Sequence, residues 1–445
     1  MGKQYFGTDG IRGTVGQDPM TADFAIRLAS AVAQVLVPAG GTVLIGKDTR
    51  LSGYMFESAL EAGFTAAGAN VLLLGPLPTP GIATLTQEHG ADLGVVISAS
   101  HNPYFDNGIK FFDGNGSKLT DEVELEIERH LQHPAITLES KALGKAKRID
   151  DARIRYQEFC AATVPAGLDL DGITIVFDGS NGAGYKVGPR TLADLGAEVI
   201  TIGCSPNGRN INDRCGSTHP ELLCTTVAAV GADAGVALDG DGDRLVMTDE
   251  NGQLIDGDQL LYVLATARHR EGTLKGPVVG TVMSNLGLEH ALSERNIDFQ
   301  RAKVGDRYVL ESLKQTGGTL GGETSGHMIV LDRTTTGDGL VCALQVLSIM
   351  KQSGKPLSEL AAGMPKYPQT MLNVRTEKRL DPTASPVIMA AVGEVESELA
   401  DSGRVVLRAS GTEPVIRVMV EGEDADQVDA LAQRLADVVA ANAAD

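Results

Sequence analysis

Tryptophan is missing from this 445-residue chain, and aromatic residues together make up only 4% of it. Positive charge is also short. The 38 Lys and Arg face 58 Asp and Glu, a net charge of −20 with His neutral. A field of that sign repels nucleic acid and anionic lipid, so neither is an expected partner. It does not exclude a small anion held by a local cluster of Arg and Lys. The five cysteines (Cys160, Cys204, Cys215, Cys224 and Cys342) are odd in number and contain no C-x-x-C pair. A disulfide framework and a zinc ribbon are thereby disfavoured, and a reducing cytoplasm fits. Long apolar runs are lacking too. The uncharged stretches Leu28–Gly46 and Gly63–Gln87 are broken by Pro and Gly, so no spanning helix is expected. Met1-Gly2-Lys3-Gln4-Tyr5 has none of the apolar character of an export signal.

What the chain does have is an ordinary globular balance, 42% hydrophobic and 22% charged, and 53 glycines. Its length suggests about three domains, with four allowed. A recurring unit runs through it: a short apolar strand, a Gly/Asp/Ser loop, then a helical pattern. Thr42–Ile45 leads into Gly46-Lys47-Asp48-Thr49-Arg50, and Leu93–Ile97 into Ser98-Ala99-Ser100-His101-Asn102-Pro103. Ile173–Phe177, Ala234–Leu238 and Val278–Val282 lead into similar loops. Strands alternating with helices such as Asp23–Leu36 and Leu286–Arg295 indicate α/β layers with sites at strand ends. Lys141–Arg155 reads as a connection after the first unit. The last unit differs, with strands near Val405–Leu407 and Val415–Val420 and a helix from Asp424. Val428, Leu431, Leu435 and Val438 form its expected apolar stripe.

Four loops carry chemistry. Ser100 follows an apolar strand and could act as a nucleophile or phosphoryl carrier, although a lone serine there more often caps a helix or shapes a turn. In Asp239-Gly240-Asp241-Gly242-Asp243, glycines let three carboxylates converge, which calls for a hard cation such as Mg²⁺ or Ca²⁺. The spacing imitates an EF-hand, but Arg244 stands where its glycine belongs, and a strand precedes the loop instead of a helix. Gly321-Gly322-Glu323-Thr324-Ser325-Gly326-His327 offers a carboxylate, hydroxyls and an imidazole suited to sugar hydroxyls or proton transfer. Arg408-Ala409-Ser410-Gly411-Thr412-Glu413-Pro414, with Arg417, suits a phosphate. Arg12 lies in another Gly-rich loop. Strand alternation turns Lys110 away from Ile109 and Phe111, either toward the Ser100 loop or onto the solvent side of an edge strand. No P-loop or dinucleotide fingerprint occurs, since Val187 stands where the third Gly after Gly182-Ala183-Gly184 would be. Together the loops suggest phosphoryl transfer.

Phe6–Gly13, Gly46–Gly53, Ser98–Pro103 with Asp106–Phe112, Leu238–Arg244, Lys303–Tyr308, Glu323–His327, Thr334–Gly339 and Arg408–Val420 occur in one order along the chain. In that order the sequence resembles the α-D-phosphohexomutase family. The resemblance implies an α/β protein of four domains. Residues 1–154, 155–257 and 258–366 would form three similar mixed-sheet domains, carrying the serine, metal and sugar-specificity loops. Residues 367–445 would form a smaller, TATA-box-protein-like phosphate-binding domain, with a hinge near Lys366–Arg375. It implies a phosphoserine at Ser100 and Mg²⁺ held by Asp239, Asp241, Asp243 and a phosphate oxygen on Ser100. His101, Lys110, Arg12 and His327 would serve acid/base work and steady the transferring group. Glu323, Ser325 and Lys303 would bind the sugar, and Arg408, Ser410, Gly411, Thr412 and Arg417 its non-reacting phosphate.

The implied reaction interconverts glucosamine 6-phosphate and glucosamine 1-phosphate through a 1,6-bisphosphate, which also serves as activator. It would be cytoplasmic, would feed UDP-N-acetylglucosamine and peptidoglycan synthesis, and would follow activation of Ser100 by a kinase or by autophosphorylation. Glucose or mannose phosphates are the nearest alternative substrates; a metal-dependent sugar phosphatase and a non-catalytic sugar-phosphate sensor are more distant. Two positions depart from the commoner family pattern: Thr324, in the stretch expected to read the sugar, and Ser180, expected to matter little.

Overall fold

The computed structural model describes residues 3–7, 9–38, 40–377, 381–409 and 414–442. Four sheets follow one another along the chain, of six, five, four and three strands. In the first, strands Thr42–Lys47, Asn70–Pro76 and Leu93–Ile97 run parallel, and Leu93–Ile97 is buried along its whole length. That accounts for its unbroken Leu-Gly-Val-Val-Ile, because a strand covered on both faces has no polar face to alternate with. Helices flank these strands and are delimited locally. Thr21 accepts a hydrogen bond from Phe24 N at the start of Ala22–Leu36. Asp338 does the same for Val341 N at the start of Gly339–Ser353, which Gly354 ends at φ +65°.

The three α/β sheets share one device. In each, a strand within the parallel set turns back through a loop into an antiparallel neighbour. Leu93–Ile97 returns as Asp106–Asp113, Ala234–Leu238 as Leu245–Thr248, and Leu320–Gly322 as Met328–Val330. The three return loops are those containing Ser100, the three aspartates, and Glu323 to His327. One hydrophobic core joins these sheets, running from Leu77 and Tyr156 through Phe177 and Leu238 to Leu260 and Leu340.

The last sheet is wholly antiparallel, with Val415–Gly422 between Gln369–Arg375 and Gly403–Ala409. It has its own core with the helices Pro386–Leu399 and Ala425–Asn442. Its joint to the third sheet is polar: Arg404 donates to the carbonyls of Val282 and Ser284, and buried Glu421 accepts from Leu286 N.

Several expectations change. The stripe on the final helix continues to Val439, which is buried, while Val438 is half-exposed; a 3.6-residue period drifts that far over three turns. The supposed connection 141–155 contains a strand of the first sheet, Ala146–Arg148, and helix Ala152–Ala162 crosses the expected boundary at 154. Most of the expected hinge 366–375 is strand Gln369–Arg375. Lys110 lies on an interior strand paired on both sides and is 2% exposed, so the edge-strand alternative fails.

Gly326 is where the second and third sheets meet. Its φ is +88°, and a β-carbon there would lie 1.9 Å from the Leu245 carbonyl oxygen. Gly354, also at positive φ, faces open space. We therefore expect Gly326→Ala to lower the thermal midpoint by about 4 °C or more beyond the loss in Gly354→Ala, because it adds a backbone clash to the same strain. Scanning fluorimetry checks this; equal losses would show that the inter-sheet contact yields easily.

Candidate active site

Ser100 is almost wholly buried and sits at φ +53°, a left-handed conformation that is rare outside glycine and costs about 1–3 kcal/mol. Its hydroxyl donates to Asp239 Oδ2 at 2.6 Å and lies 3.2 Å from His101 Nδ1. The loop of the first sheet thus reaches the loop of the second. Gly240 makes this approach feasible, since a β-carbon there would come within 2.5 Å of the Ser100 carbonyl oxygen.

Asp239, Asp241 and Asp243 are buried, with carboxylate oxygens within 4.8 Å of one another. Burial and the neighbouring Asp243 and Asp241 push the Asp239 carboxyl well above its usual range. Burial opposes ionisation of Asp243 as well, but Lys110, His327 and Arg244 hold it well below that range. Lys110 Nζ is 2.8 Å from Asp241, 2.9 Å from Asp9 and 3.7 Å from Asp243. Among the described residues, Asp241 Oδ1 and Asp243 Oδ1 have no hydrogen-bond partner. Two orphaned buried carboxylate oxygens within a three-carboxylate cluster fit a hard divalent cation.

A ring of alternating charge continues from this cluster. Lys110 pairs with Asp9; Asp9 with Lys118, at 2.5 Å, and with Arg12. Lys118 pairs with Asp306, and Asp306 lies 3.4 Å from His327 Nε2. His327 Nδ1 closes the ring at 3.7 Å from Asp243. Burial alone would lower the His327 pKa, but Asp243 and Asp306 raise it to about 9. His101 goes the other way, to about 4, through burial and the nearby Arg244 and Arg12. The two imidazoles of the site are thus driven in opposite directions by their charged neighbours.

A cleft of about 400 Å³ opens in front of these groups. Ser100, Asp243, Arg12, Arg244, Glu323, Thr324, Ser325, His327 and Arg408 line it. Glu323 accepts from Gly305 N at 2.9 Å, and Ser325 is exposed to the cleft. Arg408 and Arg417 are directly opposed on adjacent antiparallel strands. Like charges so placed cost up to about 1 kcal/mol unless an anion lies between them. Burial, then Arg417, lowers the Arg408 pKa, and Arg408 Nε has no partner among the described residues. Ser410, Gly411 and Thr412 lie outside the described residues. Lys303 is exposed, with its ammonium 5.8 Å from the centre of the Tyr308 ring, and it is not among the residues lining the cleft.

The sequence reading missed Asp9, Lys118, Asp306 and Arg244. Asp9, Asp306 and Arg244 each sit in a motif already singled out; for Lys118 no local signal existed. Ser180 enters through its main chain, which leaves the expectation for its side chain as it stands. Its carbonyl accepts from Asn212 N at 2.9 Å, and the Asn212 amide donates to the carbonyls of Ser100 and Asn102. Thr324 turns its hydroxyl to buried Asp258, at 2.7 Å, so only part of the side chain faces the cleft.

Comparison with known proteins gives a consistent result. Four domain profiles of phosphoglucomutase/phosphomannomutase match in order: alpha/beta/alpha domain I at residues 3–135, II at 155–252, III at 256–367, and the C-terminal domain at 371–438. A curated phosphoglucosamine mutase of Methylococcus capsulatus is 58% identical over 442 residues, covering 99% of both chains. That of Aeromonas hydrophila is 57% identical over 440 residues, again covering 99% of each. A phosphoglucomutase/phosphomannomutase family protein of Burkholderia thailandensis shares the fold, with TM-score 0.80 and 24% identity over 99% of this chain and 98% of that one. So does the Aspergillus fumigatus N-acetylphosphoglucosamine mutase, solved with GlcNAc-6P and magnesium, at TM-score 0.69 and 18% identity over 99% and 96%. With four domain matches in sequence and relatives more than half identical from end to end, the chain belongs to the phosphoglucomutase/phosphomannomutase family, the α-D-phosphohexomutases.

Proposed function

We infer that the chain is a phosphoglucosamine mutase, an intramolecular phosphotransferase interconverting glucosamine 6-phosphate and glucosamine 1-phosphate. The contact between Ser100 Oγ and Asp239, at the edge of a buried three-carboxylate cluster, carries the reaction type. The substrate rests on the full-length relatives of that name.

Phospho-Ser100 gives its phosphoryl group to the free hydroxyl of the bound sugar phosphate: the Ser100 O–P bond breaks, a sugar O–P bond forms, and the hydroxyl proton passes to the Ser100 oxygen. The resulting 1,6-bisphosphate turns over in the cleft, and its other phosphoryl group returns to the Ser100 oxygen. Asp239, Asp241 and Asp243, with a phosphate oxygen on Ser100, would hold Mg²⁺, which when bound would neutralise charge on the transferring group. Lys110, Arg12 and His327 add positive charge around that group, and His101 lies beside the serine oxygen. Arg244 faces the same space. Glu323 and Ser325 hold the sugar hydroxyls. Arg408 and Arg417, with Ser410, Gly411 and Thr412, clamp the other phosphate, whose charge relieves the opposition of the two arginines. Lys303 joins them only if the last domain closes over the cleft.

Hexose 1,6-bisphosphate or a kinase charges Ser100 at the outset. The domain divisions near residues 257 and 366 belong to the same reading, with the first division placed before helix Ala152–Ala162. So does a cytoplasmic role in UDP-N-acetylglucosamine supply; among the described residues no helix is long and apolar enough to cross a membrane.

Side-by-side assays with Mg²⁺, a trace of bisphosphate and equal glucosamine, glucose and mannose phosphates should show the highest kcat/KM for glucosamine phosphate. Preference for either other sugar would move the chain to a sister specificity, and hydrolysis without isomerisation would support a phosphatase. Exhaustive chelation should abolish turnover and Mg²⁺ should restore it. Asp241→Asn should lower kcat by about 100-fold and shift the Mg²⁺ titration to higher concentration; unchanged turnover after chelation would contradict the metal assignment.

A further inference from the structure

Ser98, Arg50 and Asn212 take no part in the chemistry above, yet all three converge on one peptide. Arg50 is fully buried, and its guanidinium has five N–H donors in a rigid plane. Nε donates to Asp48 Oδ2 at 2.8 Å. Nη2 donates to the carbonyls of Ser100, at 2.9 Å, and Asn102, at 2.8 Å. Nη1 donates to those of Pro103 and of Asp106, the latter at 3.1 Å. Asp48 also accepts from the Ser98 hydroxyl at 2.6 Å, and that hydroxyl accepts from Ser100 N at 2.9 Å. From the second sheet's side, Asn212 Nδ2 reaches the Ser100 carbonyl at 2.9 Å and the Asn102 carbonyl at 3.1 Å.

Both polar groups of the Ser100 backbone are therefore held, the N–H by Ser98 and the C=O by Arg50 and Asn212. These are the groups whose directions fix φ and ψ, and Ser100 is at the rare φ of +53°. A serine released from these contacts would relax to an ordinary conformation and swing its hydroxyl off the line to Asp239. Asn212 is itself at φ +57° and is held through its N–H by Ser180, so the second sheet contributes a built support to the first sheet's serine.

We propose that Ser98, Arg50 and Asn212 are positioning residues that hold Ser100 in its left-handed conformation and so aim its oxygen at the metal cluster and the sugar. This rests on Ser100 being the phosphoryl carrier.

The test compares kcat, KM for glucosamine phosphate and thermal midpoint in Ser98→Ala, Asn212→Ala and Arg50→Lys. Lysine keeps the charge against Asp48 but cannot supply five donors in a plane. A displacement of the nucleophile should lower kcat by about 10- to 100-fold, since errors near 1 Å cost that much. KM should stay within about twofold, because the sugar and phosphate contacts are untouched. The two alanine variants should keep midpoints within about 5 °C of the parent's, and Arg50→Lys, which leaves buried carbonyls unpaired, should lose most activity together with some stability. If Arg50→Lys does not fold, the two alanine variants carry the test. Parental kcat in both, or a loss confined to KM, would overturn the proposal. Ser100→Ala and the parent enzyme run alongside. An active Ser100→Ala, or a parent that takes up no phosphoryl group on Ser100, would overturn the serine assignment itself and not merely its support.

Discussion

Buried Asp243, and Asp9 and Asp306 at the cleft wall, stay ionised because Lys110, Lys118, Arg12 and His327 lie among them. A buried ion without a partner costs several kcal/mol, and removing one member of a buried pair costs about 3–5 kcal/mol. The members come from all three α/β sheets, so the charges that would handle a phosphoryl group also fasten the domains together. Apolar packing alone would dock these units, as the shared core does. The ring adds a register, because the pairs that join units, Lys110 with Asp241 and Lys118 with Asp306, form only when the units meet in one arrangement.

The fourth unit follows a different logic. Its core is separate, its joint to the third sheet is polar, and it sets Arg408, which lines the cleft, directly opposite Arg417. Such a unit can move without breaking a hydrophobic core, and an anion in the cleft gives it a reason to close. Fixed loops for the reacting group and a separately packed unit for the other phosphate would suit a reaction whose intermediate must turn around without being lost.

Much of this was legible in the sequence because the chemistry sits in short loops after apolar strands. Ser100, the three aspartates, and Glu323 to His327 could each be read from a few contiguous residues. What could not be read was pairing. Lys118 meets Asp306 across 188 positions of sequence, and no local pattern encodes that. Strand alternation assigned Lys110 a face but not whether its strand was central, which depends on two neighbours far away. Ser180 and Arg50 looked like ordinary loop residues, because their role lies in where a carbonyl or guanidinium points. The stripe on the final helix was read one residue short, at Val438, since a short window cannot separate periods of 3.5 and 3.6.

The central claim is that Ser100 carries the phosphoryl group. Intact-mass and peptide mass spectrometry of the purified chain, after incubation with Mg²⁺ and a hexose 1,6-bisphosphate, tests it most directly. The account predicts the added mass of one phosphoryl group, located on Ser100, and its discharge when excess sugar monophosphate follows. Turnover with no phosphoryl group on Ser100, or with the group on another residue, would contradict it.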